Sequence, residues 1–476
     1  MNTSDTQQPK PLPPPDGRIA FDVLWVGMLI LYVIAGRAVA PFHGDESIYT
    51  AMSVDYGYIL LEQDLSKVIY TDEPENPIEQ SYRITDAVLM RYFIGAAWHA
   101  AGFTTDDMNA PWWWAQSFDF NVENGFYPGD ELLLVSRIPA VILTGGAVLL
   151  LFLIGMQLQG RVVAYIATLY FALNPAVLLS GRRSAKEGPH LFFELFILLM
   201  AIHVINRIRH PERRGVPLWA WSVCLGVGSA LGIASKLTNV FPVVAAFGAI
   251  ALFTLLRARA QIVPVLVNML MSGVLVLGVF YAVNPAYWNG PIERTWMSVQ
   301  IRAEVLDGQT NNFDNSYRGD MGLRLRGFWD NVFADGPPQY YEAEEWGEYI
   351  AGQIEFYEST PLTGFNPPGV GVVMFVLMLI GYAVLLGWLR PVPLNPSAQW
   401  VIGVWGVFAL VYSMLLVPLS WQRYYLPFFP VLGLTAGLGV VWVVSLYLRN
   451  AVEQSPQYKR GSARVERSAE KSQQST

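Results

Sequence analysis

Apolar residues in this chain fall in long, nearly unbroken blocks, not in the short alternations of a soluble fold. Ten blocks lie near 20–41, 132–156, 162–180, 189–206, 218–235, 237–256, 262–283, 368–389, 399–418 and 425–448. A hydrocarbon core about 30 Å thick takes about 20 apolar residues per helix. Each block therefore predicts a membrane span, with the shortest break at Ser235-Lys236.

Two polar stretches, 42–130 and 284–367, are too long for plain connectors. Within the first, Val88, Leu89, Tyr92, Phe93, Ala96 and Ala97 recur at helical spacing, which predicts an amphipathic interfacial helix over 86–101. Trp112-Trp113-Trp114 suits a headgroup layer. Further interfacial helices are expected at 296–305 and 343–357.

Composition agrees. Hydrophobic residues make up 53% of the 476 and charged ones only 14%, against about 25% charged in a soluble domain. The single cysteine, Cys224, excludes an intrachain disulfide and a cysteine-cluster metal site. It is expected to be a small packing residue. Residues 1–18 read as a polar, proline-rich tail, 19–448 as the membrane domain and 449–476 as a basic tail. The first span is expected to stay as an anchor, since no cleavage pattern follows it.

Charge orients the spans. Arg207, Arg209, Arg213, Arg214, Arg257, Arg259 and Arg390 fall on one side with Lys10, Arg18 and the tail bases Arg449, Lys459, Arg460, Arg464, Arg467 and Lys471. The positive-inside rule makes that side, and both termini, cytoplasmic in a plasma membrane. The two long loops on the other side hold 28 of the chain's 38 acids. The net charge of −7 is thus a property of the outer face and points to no nucleic acid.

Candidate chemistry begins at His43-Gly44-Asp45-Glu46, at the mouth of the first span. Adjacent carboxylates there need water, a cation or a reacting proton nearby. Asp45 is expected to be a general base, supported by Glu46. The alternative is a helix end exposed to water. A divalent cation held by this pair and water is optional, and no other cofactor is required. His43 is assigned an interfacial polar role, because no second histidine sits at ligand spacing. Arg182, Arg183 and Lys186 form an outer cationic turn against the prevailing charge trend. With Lys236 and Arg423 they are candidates to grip a phosphate. Headgroup contact, pairing with the acidic loops or snorkelling is the plainer alternative. Arg137 is expected to meet an acid of the first loop as a structural pair. His190 and Glu194, four apart, are expected to form a satisfied intramembrane pair. Nothing local separates Asp55 and Asp86 from surface charges. No P-loop, Gly-x-Ser-x-Gly elbow, His-Glu-x-x-His or soluble nucleotide-binding domain is present in the sequence.

The order of these residues resembles a known family. The acidic pair is followed by a long loop, Arg137-Ile138-Pro139, Asn174-Pro175, the Ser180 to Glu187 turn, Leu231 to Thr238 and Arg423-Tyr424-Tyr425-Leu426-Pro427. This is similar to the GT-C glycosyltransferases, specifically the glycosyltransferase family 39 group of protein O-mannosyltransferases and lipid A aminoarabinose transferases. The resemblance covers about 20–245 well and 420–440 moderately, and is poor over 284–367. It implies an all-α GT-C fold of about ten membrane helices. It also implies inverting transfer of a hexosyl or pentosyl group from a polyprenyl-phosphate donor, on the extracytoplasmic face, to a lipid, glycan or protein hydroxyl. The family's loop acid maps to Asp45, and its phosphate contacts to Lys186, Lys236 and Arg423. The mannosyltransferases' His-Pro-Pro segment has only Glu75-Asn76-Pro77 as a counterpart. The Trp-Trp-Asp-Tyr-Gly motif of oligosaccharyltransferases is absent, which argues against transfer of a whole glycan to asparagine. A lipid or solute transporter, or a non-enzymatic membrane scaffold, is the alternative reading.

Overall fold

A computed structural model describes residues 17–454 apart from 335, 343, 390 and 391. The expectations for the tail before residue 17, for Arg390 and for the bases beyond 454 lie outside the described residues. Among the described residues there is no β-strand, only an isolated antiparallel bridge between Ser316 and Leu419. The protein is an all-α polytopic membrane protein. Among the described residues eight helices are long and apolar enough to cross a bilayer, and the bent pair Arg161–Leu173 and Pro175–Arg182 makes a ninth if taken as one span. The predicted span 368–389 is the shorter helix Val370–Leu385, whose 16 residues rise about 24 Å. The last helix, Phe428–Gln454, runs past the end expected from hydropathy.

The bend in the third span has a local cause. Pro175 lacks the N–H that would continue the first half. Asn174 caps the second half, its Oδ1 accepting from the Ala176 and Val177 N–H groups at 3.0 and 3.2 Å. The halves meet at 62°, and the second delivers Arg182 and Arg183 into the protein, not into lipid.

Glu187–Arg209 is the central helix, buried on nearly every face by Ile138–Leu158, Leu218–Ser235 and Val240–Arg257. Ile262–Ala282 is the opposite case, buried only at Val265 and Ser272, as expected of a helix facing lipid. Val370–Leu385 lies against Phe428–Gln454 at small residues. A Cβ on Gly381 would fall 1.8 Å from the Thr435 carbonyl oxygen, and one on Gly439 2.2 Å from that of Leu377. Such close backbone approach supplies packing where lipid removes the hydrophobic drive between helices. Cys224 is exposed on Leu218–Ser235 and does not fill a core gap. Helical rotation, invisible in a wholly apolar block, turns it outward.

The two long loops are folded. The first contains Leu89–Ala100, close to the predicted interfacial helix, and buries Met90, Ile94 and Trp98. Trp112 is buried, whereas Trp113 and Trp114 are exposed. The second contains Pro291–Asn312, Met321–Val332 and Glu344–Ser359, the first and last overlapping the predicted helices. It docks on the turn before the last helix. The Tyr317 N–H donates to the Pro418 carbonyl at 3.1 Å, and Gln339 and Gln422 exchange backbone-to-side-chain bonds at 2.9 and 2.8 Å.

Candidate active site

The His43-Gly44-Asp45-Glu46 segment starts the helix Gly44–Met52 with a capping box. The His43 Nδ1 accepts from the Asp45 N–H at 3.1 Å, and the Glu46 carboxylate accepts from the His43 N–H at 3.2 Å. Because Nδ1 accepts, the ring proton sits on Nε2, which donates to Glu342 at 2.6 Å. Successive helical residues point about 100° apart, so Asp45 and Glu46 separate.

Glu46 turns inward and is fully buried. Arg137 grips it with a fork, Nε at 2.7 Å and Nη2 at 2.8 Å, as the sequence leads one to expect of Arg137. The Ser184 N–H adds a bond at 2.7 Å. Both carboxylate oxygens are thus engaged, and Glu46 ties the first loop to the start of the second span and to the 183–187 turn. It does not stand beside Asp45 as a second reacting acid. The two carboxylates also do not converge on one point where a cation could sit. Among the described residues no group of three metal-ligating side chains gathers.

Asp45 faces a cleft with His43, Arg183, Glu187, Glu342 and Arg423. Arg423 Nη1 donates to its Oδ2, and Arg423 Nε lies 3.2 Å from Glu342 Oε1. The guanidinium also sits 4.9 Å from the centre of the Trp421 ring. Burial pushes the Asp45 pKa up, but Arg423, with help from Lys186, outweighs it and holds the group below the usual carboxylate range. Glu342 is lowered in the same way, burial being outweighed chiefly by Arg423. The free space in this cleft is about 20 Å³, room for about one water. Its own charged side chains fill it.

Beside the cleft lies a second acid that sequence reasoning left among surface charges. Asp86 accepts from Lys186 Nζ at 3.1 Å and from Arg302 Nη2. Burial is again outweighed, by Arg302, Lys186 and Arg91, and Asp86 is held well below the usual range. Burial lowers and Asp86 raises the pKa of Lys186, with a net rise. Lys186 therefore stays charged between Asp86 and Asp45.

The other predicted cations divide. Arg423, Arg183 and Lys186 are at or next to the cleft. Arg183 spends two donors on the Pro41 and Tyr340 carbonyls, at 3.0 and 2.8 Å. Lys236 is 7% exposed and donates to Glu187 at 3.1 Å, so it reaches the cleft only through that acid. Arg182 is elsewhere. It is fully buried and donates to the carbonyls of Val33 (2.9 Å), Tyr32 (2.8 Å) and Leu362, and to the Tyr357 hydroxyl (3.0 Å). It satisfies carbonyls at the end of the first span, which otherwise lack partners, and has no donor aimed at the cleft. Gly36 makes room for it, since a Cβ there would fall 2.1 Å from Arg182 Cζ.

Asp55 is structural, bonded by Arg83 at 2.8 Å and Arg91 at 3.2 Å. His190 and Glu194 face each other at 4.0 Å, but each bonds elsewhere, to Asn239 at 2.9 Å and Trp405 at 3.0 Å. Sequence reasoning missed Glu342, Glu187, Asp86 and Arg302 as members of the charged cluster. The capping-box spacing signals the local role of His43 and Glu46. No short-range signal exists for the others, because their partners are in distant segments.

No family model matches the chain, and no curated protein matches it significantly. Solved structures do share its fold. The archaeal oligosaccharyltransferase AglB from Archaeoglobus fulgidus, in complex with an inhibitory peptide and a dolichol-phosphate, aligns at 12% identity and a TM-score of 0.50, over 92% of this chain and 52% of that one. Its apo form aligns at 13% identity and 0.51, over 90% and 51%. ArnT from Cupriavidus metallidurans bound to undecaprenyl phosphate aligns at 11% and 0.44, over 89% and 60%. The chain spans about half to three-fifths of the length of these proteins. It shares the fold of the AglB structures.

Proposed function

We propose that the chain is an inverting glycosyltransferase that takes its sugar, a hexose or pentose, from a polyprenyl-phosphate donor on the extracytoplasmic face of the membrane. The observation that carries this reading is the pairing of Asp45 with Arg423 in a cleft next to Lys186. An acid and phosphate-gripping cations stand together at the end of the spans, where a lipid phosphate would lie. The fold shared with AglB, whose structure holds a dolichol-phosphate, favours a donor of that class.

The steps follow from the charges. The donor phosphate takes Arg423 and Lys186, displacing carboxylates that now hold them. Asp45 then loses the cation that keeps its pKa low, and becomes a stronger base when the donor arrives. It accepts the proton of the acceptor hydroxyl as that oxygen attacks the anomeric carbon. The bond from that carbon to the phosphate oxygen breaks on the opposite side. Arg423, Lys186 and the remaining donors of Arg183 stabilise the departing phosphate. General-base help is typically worth about 10²- to 10⁴-fold. Glu46, Arg137 and Arg182 act as scaffold.

The test is sugar transfer by purified protein in vesicles supplied with synthetic polyprenyl-phosphate sugars. Transfer that disappears in Asp45→Asn supports the reading. Solute or lipid translocation by the same vesicles without transfer would put a transporter in its place.

A further inference from the structure

A cavity much larger than the reaction cleft lies away from it. It has a volume of about 520 Å³ and is bordered by Arg207, Arg209, Arg213, Arg214, His203 and Trp221. The central helix runs from Glu187 at the cleft to Arg209 at this cavity. Its 23 residues rise about 34 Å, so the cavity sits at the opposite membrane boundary.

Its charge is lopsided. Four arginines surround it. The one acid in the 206–216 stretch, Glu212, lies 3.6 Å from His210 and is largely exposed. Arg207 is spent on structure, bonding the His210 and Arg213 carbonyls and closing the loop. Arg209 reaches Asn395 and Ser397 only at 3.4 Å. Arg213 and Arg214 are exposed and have no acidic partner among the described residues. One wall is aromatic, with the His203 ring stacked on Trp221 at 4.2 Å and 9°. Trp219, 60% exposed, projects beside it at the start of its helix, where an interfacial anchor belongs.

We infer that this cavity is a second binding site, for a phosphate-bearing group, and that an anionic phospholipid headgroup is its natural occupant. Guanidinium forks match phosphate oxygens bidentately. Unpaired arginines around a concavity differ from the dispersed bases of an ordinary inner face, and basic pockets between membrane helices on that side bind lipid headgroups. The aromatic wall at interface depth favours a lipid over a free anion. Occupancy would hold the Arg209–Leu218 connection to the Pro396–Val411 helix, and so stabilise the folded state.

The experiment uses the full chain purified in detergent. Dissociation constants are measured by native mass spectrometry for phosphatidylglycerol and phosphatidylcholine, and inorganic phosphate is added as competitor. The expected result is a preference for phosphatidylglycerol that weakens roughly thirtyfold in Arg213→Ala/Arg214→Ala. It should be unchanged in Arg257→Ala/Arg259→Ala, which removes equal charge from the same face outside the cavity. Displacement of the lipid by millimolar inorganic phosphate would support the phosphate site but assign it to a free anion. Equal affinity in the Arg213/Arg214 variant, or an equal loss in the Arg257/Arg259 variant, would overturn the site.

Discussion

Arg423, in the turn before the last helix, donates a charged hydrogen bond to Asp45, 378 residues earlier in the chain. That bond closes the cleft and sets the protonation of its one acid that is free of the scaffold. Asp45→Asn removes the proton acceptor and leaves a side chain of the same shape. Transfer is expected to fall by about 10²- to 10⁴-fold, with yield and thermal midpoint of the purified protein close to wild type. Turnover within a few-fold of wild type would remove Asp45 from the mechanism.

Glu46→Gln should do the reverse. It strips the charge from a fully buried carboxylate and leaves the Arg137 guanidinium without its counter-ion. Breaking one side of a buried pair costs about 3–5 kcal/mol. The expected outcome is a large drop in thermal midpoint and in recovered protein, with the surviving fraction still active. A stable, inactive variant would place Glu46 in the chemistry instead.

Arg182 and Arg423 are both phosphate-binding candidates in the sequence, yet their alanine variants should fail differently. Arg423→Ala is expected to raise the KM for the donor about tenfold or more while the protein stays folded. Arg182→Ala removes the donor to four oxygens and should lower stability without a specific effect on donor KM. Gly36→Ala, which pushes a methyl into the Arg182 guanidinium, should cost about 1–3 kcal/mol by overpacking. Chemical denaturation of the purified protein checks both.

The pH dependence has a definite sign. Burial raises the Asp45 pKa, and Arg423, with Lys186, more than offsets it, so the group titrates below the usual carboxylate range. In kcat/KM, which reports the free enzyme, the acidic limb of Asp45 should lie below pH about 4. Arg423→Gln takes away the main cation and should move that limb to higher pH. An unmoved limb in this variant would mean that Arg423 does not tune the base.

The depressed pKa values of Asp45, Asp86 and Glu342 also stabilise the fold. A carboxylate with a lowered folded-state pKa contributes stability that is present above its unfolded pKa and lost as pH falls through the folded one. The thermal midpoint should therefore hold from about pH 7 to 5 and fall progressively below about pH 4. Asp86→Asn should lower the pH 7 midpoint and flatten that fall.

The membrane spans, the folding of the two long loops and their load of acids were readable along the chain. Partition of an apolar block into lipid and charge bias between loops are short-range properties, summed residue by residue. Tertiary structure alone decided that Asp45 faces the cleft while Glu46 is buried. It also committed Arg182 to backbone carbonyls, joined Asp86 and Glu342 to the charged cluster, and turned Cys224 outward. Each of these depends on which distant segment supplies the partner, and on a rotation of about 100° per helical residue that hydropathy does not record in a uniformly apolar or uniformly charged stretch.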